Sequence, residues 1–296
     1  MQAKDVIIIG GGPAGISCAI QLTRYGISTS IIEKENLGGL LLNANHIENY
    51  PGFPLGVKGI ELVEYMKEQL TRQKLEVLFE EVTGLESNKE LLKVTTKKNS
   101  YYSKFVVVSS GTTHKKFEDC PIPNELTPKI LYEVYPIITL KRKKIVIVGG
   151  GDAAFDYALS LAFENEVVIL NRNETSNCIP VLLKRVKESS AIEYIKEIKI
   201  QKIFSSSEGM IELECKTNEG NRNIKCDYLL FAIGRIPSDE FFSPELKREV
   251  DKKKETSRIY LAGDVKNDIF RQTAIAVGDG IMTAMKIYRK IKEEEK

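Results

Sequence analysis

Twice in 296 residues the chain runs an uninterrupted apolar strand into a glycine loop and out into a helix. The first copy is DVIIIGGGPAGISCAI at 5–20 and the second is KKIVIVGGGDAAFDYA at 143–158. A buried strand followed by Gly-x-Gly-x-x-Gly makes a tight turn, and the helix that follows points its unpaired N–H groups at an anion. In the first copy Gly10 allows the turn, Gly12 lets a diphosphate approach the backbone, and Gly15 lets the helix pack on the strand. Pro13 and Ala14 fill the loop between them. The next strand, STSIIE, ends at Glu33, about 20 residues on, where a carboxylate accepts from ribose hydroxyls. Strand, loop, helix and acid together predict a dinucleotide cradle.

The second copy reads Gly149-x-Gly151-x-x-Ala154, with Asp152 and Ala153 inside the loop, a helix to about Ala162, and the strand EVVILN. Alanine is a permitted third position. This strand ends in NRNETSN rather than an acid. Asn171 can hydrogen-bond a ribose, and Arg172 can pair with a 2′-phosphate because guanidinium geometry suits its oxygens. The choice between NAD and NADP therefore stays open at this point. Two cradles on one chain imply two dinucleotides and electron transfer between them, one a resident flavin and the other a visiting hydride carrier.

Each copy is followed by an apolar strand running into a small-small-Gly turn, at Ser109-Ser110-Gly111 and at Ala232-Ile233-Gly234. Prolines follow both turns, at Pro121 and Pro123 and at Pro237, and stiffen them as hinges. The expected organisation is α/β, with two Rossmann-like FAD/NAD(P)-binding domains of three-layer ββα type, the second inserted in the first. Residues 1–117 and 237–296 would form the FAD-binding domain and 118–236 the NAD(P)-binding domain. Near the end, IYLAGDV (259–265) is a strand running into Gly263-Asp264, before FRQTAIAVGDGIMTAMKIYRKI, read as an amphipathic helix rich in small residues. Asp264, at a strand end beside a helix start, is placed to bond the diphosphate-linked chain of a flavin.

Composition excludes several other classes. A net charge of +2 carries no nucleic-acid or membrane-surface signature, and the lysine runs at 140–144 and 251–255 read as solvated faces. Apolar runs fall short of the roughly 20 residues that cross a bilayer. The chain opens directly into a strand with no leader pattern, so a cytoplasmic protein is expected. Cys18, Cys120, Cys178, Cys215 and Cys226 form no CxxC and no metal spacing, and only His46 and His114 are present. No metal site and no general base stand out, and no catalytic side chain is assigned, since hydride transfer to a flavin requires alignment rather than a base.

GGGPAG, GGLLLNANHIENYPGFP, SSGT, GGGDAA, AIGRIP and LAGDVKNDIFRQTAIAVGDG, in this order from about residue 4 to 289, resemble the low-molecular-weight thioredoxin reductases. The related ferredoxin–NADP reductases of thioredoxin-reductase type share most of these motifs. The resemblance implies a homodimeric flavoprotein with tightly bound FAD on the discontinuous domain and NADH or NADPH on the inserted one. By motif match Gly10, Gly12, Gly15 and Glu33 would hold the ADP half of FAD, and Gly38, Gly39 and Asn49 would lie near the flavin ring. Gly111 would lie near the FAD crossing, Asp264 by the ribityl–phosphate chain, and Arg271 with Gln272 at the pyrimidine end. Lys34, Val82, Gly263 and Thr273 join this set, and Ile233, Gly234 and Arg235 join the nicotinamide set.

The sequence departs from that family in two motifs. Where thioredoxin reductases carry a redox CxxC it reads YEVY at 132–135, so direct thioredoxin reduction is not expected. Where NADP-using relatives carry HRRxxxR it keeps Arg172 but has Asn173 and Asn177, which favours NADH. The chain also stops soon after its last helix, at IYRKIKEEEK, so an open flavin face is expected. The reading is an FAD-dependent NAD(P)H oxidoreductase without a dithiol, passing electrons to a ferredoxin, a flavodoxin or a small molecule. A ferredoxin/flavodoxin–NAD(P) reductase is the alternative within the class. A flavin-binding regulatory or assembly protein is the alternative outside it.

Overall fold

The computed structural model describes residues 4–88, 91–207, 209–253 and 256–295, so part of the 251–255 lysine run lies outside the described residues. The chain begins with β1 (Lys4–Ile9), α1 (Pro13–Arg24), β2 (Thr29–Glu33), α2 (Gly59–Arg72) and β3 (Glu76–Phe79). It continues with β4 (Val82–Asn88), β5 (Leu91–Thr96), β6 (Ser100–Val108), β7 (Ile130–Leu131) and β8 (Lys144–Val148). Next come α3 (Asp152–Leu161), β9 (Glu166–Leu170), α4 (Pro180–Glu188), β10 (Ile192–Ile195) and β11 (Lys199–Ser205). The last elements are β12 (Ile211–Thr217), β13 (Gly220–Cys226), β14 (Tyr228–Phe231), α5 (Pro244–Lys253), β15 (Ile259–Leu261) and α6 (Thr273–Glu294). The final helix therefore starts at Thr273, three residues inside the stretch read as helical, with Phe270, Arg271 and Gln272 left in the preceding loop.

Contacts divide the chain into two units, one of residues 1–42, 47–113 and 236–296 and one of residues 43–46 and 114–235. These divisions fall a few residues from the expected ones at 117/118 and 236/237, and the short segment 43–46 packs with the second unit.

In the first unit β3-β2-β1-β6 are parallel, β15 adds parallel to the end of β6, and β4-β5-β6 form an antiparallel meander. VIII in β1 and FVVV in β6 are buried without alternation, as strands covered on both faces must be. α6 lies against α1 so closely that a Cβ on Gly280 would stand 2.1 Å from the Ala14 carbonyl oxygen. The Ser17 hydroxyl seals the crossing from α1, within 3.1 Å of the Val277 carbonyl on α6. On the other side α5 buries Leu246 and Val250, one turn apart, with Phe242 onto Leu85 and Val94.

The second unit repeats the plan with a parallel sheet β10-β9-β8-β14-β7 and a separate antiparallel sheet β11-β12-β13. Phe155, Ala158 and Leu161 of α3 and Leu182 and Val186 of α4 pack on one face of its parallel sheet. The meander closes the other, through Ile211, Leu213, Cys215 and Ile224.

Candidate functional site: two glycine cradles

The first cradle is a set of close backbone approaches that only glycine allows. Gly10 has φ +102°, and a Cβ there would lie 2.4 Å from the Ser109 carbonyl oxygen on the neighbouring crossing. A Cβ on Gly15 would lie 2.0 Å from the Gly10 carbonyl oxygen. Gly12 differs, because nothing stands within 4 Å of where its Cβ would be. The loop is therefore packed shut behind and open in front, at the mouth of α1. Pro13 opens α1 and Ala14 is buried beneath α6.

Glu33 is buried at the end of β2 and grips this loop. Its Oε2 accepts the Gly11 N–H at 2.7 Å and its Oε1 accepts the Glu35 N–H at 2.9 Å. Each oxygen keeps acceptor capacity for a further hydroxyl. Lys34 is exposed beside it. The Gly38 N–H donates to the Gly11 carbonyl at 2.8 Å, and the left-handed Gly38-Gly39 pair brings the place of a Gly39 Cβ to 3.5 Å from Gly12 Cα. Val82 is half-buried at the start of β4, in the core beside Ile32.

Of the other predicted residues of this unit, the structure brings Asn49 and Gln272 into contact. Asn49 donates to Gln272 Oε1 at 2.9 Å, immediately before Thr273 starts α6. Arg271 keeps a buried Nε with no hydrogen-bond partner among the described residues. A buried guanidinium N–H is costly to leave unpaired, so this atom fits a bound acceptor such as a flavin pyrimidine carbonyl. Gly263 and Asp264 lie in the single 3-10 turn after β15, and Gly111 is left-handed at φ +67°.

Sequence reasoning missed Asp279. It is buried on α6, and its carboxylate accepts the Gly263 N–H at 3.1 Å and Asn267 Nδ2 at 2.6 Å, with Lys266 Nζ at 3.1 Å. It thereby fixes the turn that presents Asp264. The sequence held no signal for it, because an acid on an amphipathic helix reads as solvent-facing.

The second cradle repeats the close approaches of the first. A Cβ on Gly149 would lie 2.5 Å from the Ala232 carbonyl oxygen, as Gly10 meets Ser109, and Gly151 has open space like Gly12. Gly234 is left-handed at φ +111°, as Gly111 is. Ile233 is half-buried against the core, and the Gly234 carbonyl accepts the Lys115 N–H at 2.9 Å. Asp152 starts α3 and accepts the Ile179 N–H at 2.7 Å, Ala153 is exposed and Ala154 is fully buried.

Asn171 takes the place of Glu33, with Arg172 exposed beside it. Arg235 forms an ion pair with Glu133, which also accepts from Asn43 Nδ2 at 2.8 Å. Glu133 belongs to YEVY, and Tyr132 of the same motif stacks on His114 at 3.8 Å while its hydroxyl accepts the Phe117 N–H at 3.1 Å. The place of the dithiol is thus filled by packed, hydrogen-bonded side chains.

No cysteine substitutes for that dithiol. All five are free thiols. Burial pushes the Cys215 thiol up to about 11 and the Cys226 thiol up to about 12, and raises Cys120 as well, with Asp119 adding to the rise. Thiols held so far from thiolate are poor nucleophiles at neutral pH. Among the described residues no group of His, Cys, Asp or Glu is placed to hold a metal, and no helix is long and apolar enough to cross a membrane.

The comparisons agree with this geometry. The Pyridine nucleotide-disulphide oxidoreductase family matches residues 4–280. A thioredoxin reductase of Treponema pallidum is 29% identical over 95% of this chain and 94% of its own length. One from Bacillus subtilis is 28% identical over 98% and 95%. The crystal structure of T. acidophilum thioredoxin reductase matches with a TM-score of 0.87 at 26% identity, covering 98% of this chain and 99% of that one. Two Rossmann-type sheets and two glycine cradles, with no pair of cysteines at disulfide distance, place the chain in the pyridine nucleotide-disulphide oxidoreductase family, as a thioredoxin-reductase-like, FAD- and NAD(P)-binding oxidoreductase that lacks the redox disulfide.

Proposed function

We propose that this protein is an FAD-dependent NAD(P)H oxidoreductase that delivers electrons directly to an external acceptor. The observation that carries the reading is the open space in front of Gly12 and Gly151, one mouth in each unit, in a chain with no dithiol between them. The first cradle would hold a flavin and the second a nicotinamide nucleotide, and these cofactors would supply the hydride-transfer chemistry. The chain's own part is alignment and charge. Glu33 and the N-terminus of α1 hold the ADP half, Arg271 answers the pyrimidine end, and the N-terminus of α3 receives the visiting diphosphate.

Loss of two arginines from the loop after β9 supports NADH as the preferred donor, since each charge-assisted bond to a 2′-phosphate contributes about 1.5–3 kcal/mol. The acceptor class is a small oxidant, a ferredoxin or a flavodoxin. A homodimer is supported by α6, where Ile275, Ile281, Met282 and Met285 are 39–54% exposed along one stretch of helix. Five free thiols support a reducing, cytoplasmic setting.

The test is an anaerobic titration of the yellow protein with NADH and, separately, NADPH, following flavin absorbance. Bleaching by either establishes the donor. Failure with both sinks the reading and leaves a flavoprotein without nicotinamide turnover.

A further inference from the structure

Asn171 and Glu33 occupy the same place in their cradles. Each directly follows the residue whose carbonyl receives the first glycine's N–H, Ile32 for Gly10 at 2.8 Å and Leu170 for Gly149 at 3.0 Å. Each accepts the N–H two residues on, Glu35 at 2.9 Å and Asn173 at 3.1 Å. There the likeness ends. A carboxylate has two anionic oxygens and no hydrogens to place, so Glu33 can bind the loop and still accept from a ligand. An amide has one oxygen and two N–H groups, and in Asn171 both N–H groups are already used while the oxygen accepts the Asn173 N–H and lies against the Gly150 backbone. Its Nδ2 donates to the Thr175 carbonyl at 3.0 Å and to the Tyr194 hydroxyl at 2.9 Å, and its side chain is 2% exposed.

The amide also lies flat on the glycine loop. A Cβ on Gly150 would come within 2.6 Å of Asn171 Oδ1. The turn that Asn171 organises then closes on that loop, the Asn177 N–H donating to the Gly150 carbonyl at 2.7 Å and the Ile179 N–H to Asp152 at 2.7 Å. Its backbone ties in β10 as well, through Asn171 N–H to the Ile195 carbonyl at 2.9 Å.

We propose that Asn171 is a positioning residue rather than a ribose ligand, a staple that holds the 171–177 turn on the Gly149–Gly151 loop and so pre-forms the ribose side of the nicotinamide-nucleotide site. This deepens the proposed function and rests on reading the second unit as that site. The staple leaves the choice between NADH and NADPH to groups outside it, of which Arg172 is the adjacent exposed cation with no hydrogen bond or ion pair among the described residues. It also reverses the usual expectation for this position. An aspartate here would not create a gripping acid for ribose hydroxyls. The Tyr194 hydroxyl can turn its proton to a carboxylate, but the Thr175 carbonyl would face an anion with no donor.

Asn171→Asp and Tyr194→Phe test this in the flavin-loaded protein by two readouts. The first is tryptic cleavage after Arg172 without nucleotide, identified by fragment mass. One lost hydrogen bond of about 1.4 kcal/mol corresponds to about tenfold in local opening. Cleavage should therefore accelerate about tenfold or more in Asn171→Asp and less in Tyr194→Phe, with flavin content and the melting of the rest of the protein unchanged. The second is anaerobic flavin reduction. Both variants should raise the apparent KM for NADH and NADPH together, keeping their ratio within about twofold of the parent. Unchanged cleavage overturns the proposal, and so does an Asn171→Asp protein that gains NADH selectively, since its carboxylate would then be reaching the ribose. If the parent protein is reduced by neither nucleotide, the proposed function fails and cleavage alone decides the staple.

Discussion

The two cradles are built on one backbone and differ in what covers them. α1 is roofed by α6, with Gly280 against Ala14 and Ser17 bonding across the crossing, and Ala14 is buried. In α3 the matching residues are Ala153, which is exposed, and Asp156, which accepts the Asn45 N–H at 2.9 Å. The third loop position is glycine under the roof and alanine without it. A resident cofactor suits a cradle whose helix is roofed by another and whose loop is anchored by a buried acid, and a visiting one suits a cradle whose helix carries exposed residues in place of that roof. The difference teaches that the glycine fingerprint specifies the turn, while the surrounding layers set how firmly it holds.

The comparison breaks first at Gly15. Gly15→Ala forces a Cβ against the Gly10 carbonyl in a loop with no room to move, costing about 3 kcal/mol or more. We expect a destabilised protein without flavin, checked by thermal melting and by visible absorbance after purification. A yellow, normally stable variant would mean that the loop is looser than its contacts indicate.

Next comes Glu33→Gln. One of its two backbone N–H partners, Gly11 or Glu35, would then face an amide N–H instead of an oxygen. At about 1–3 kcal/mol for an unsatisfied buried donor, FAD affinity should fall about 10- to 100-fold. Reconstitution of apoprotein followed by equilibrium dialysis measures it, and unaltered affinity would remove Glu33 from the site.

Asp156 sharpens the contrast through pH. Burial raises its carboxyl to about 6 against the opposing hydrogen bond from Asn45, with Asp152 adding to the rise and His46 and Arg185 lowering it. The folded protein therefore binds this proton more tightly than the unfolded chain, whose aspartates titrate near 4. Stability contributed at this site is greatest below about pH 4, declines as pH rises towards 6, and is level above that. Asp156→Asn should raise stability by about 1–2 kcal/mol at pH 8 and leave it unchanged at pH 4. Denaturant melts at the two pH values decide it, and an equal effect at both would mean that the charge is not the cause.

The smallest effect is expected from Ala154→Gly, the reciprocal of the first substitution. Ala154 is fully buried and touches the space of Gly149 without collision, so its loss should cost about 0.5–1 kcal/mol in helix entropy. A loss as large as that from Gly15→Ala would erase the asymmetry between the cradles.

Much of this was legible in the chain itself. Unbroken apolar runs marked β1, β8, β9 and β14 because strands buried on both faces leave no alternation to misread. Glycines at fixed spacing marked the turns because no other residue admits the approach of Gly10 to Ser109. The helices α2, α4 and α5 and the β11–β13 meander went unread, since half-exposed amphipathic segments carry weaker signals and no motif. Asp279 was invisible for a different reason, because a carboxylate on an amphipathic helix reads as solvent-facing until its neighbours are known.

The sequence by itself determined the two cradles, their order, the absence of a dithiol and the neutral end of the second nucleotide strand. These are local matters, in which a few neighbouring residues dictate the backbone. Only the tertiary structure decided what each polar group is free to do. It showed Glu33 holding its loop with acceptor capacity in reserve, Asn171 buried with both donors spent, Arg235 joined to Glu133, and Arg271 with a buried nitrogen unpaired among the described residues. A residue type fixes how many hydrogen bonds a side chain can make, but the fold settles how many are already made.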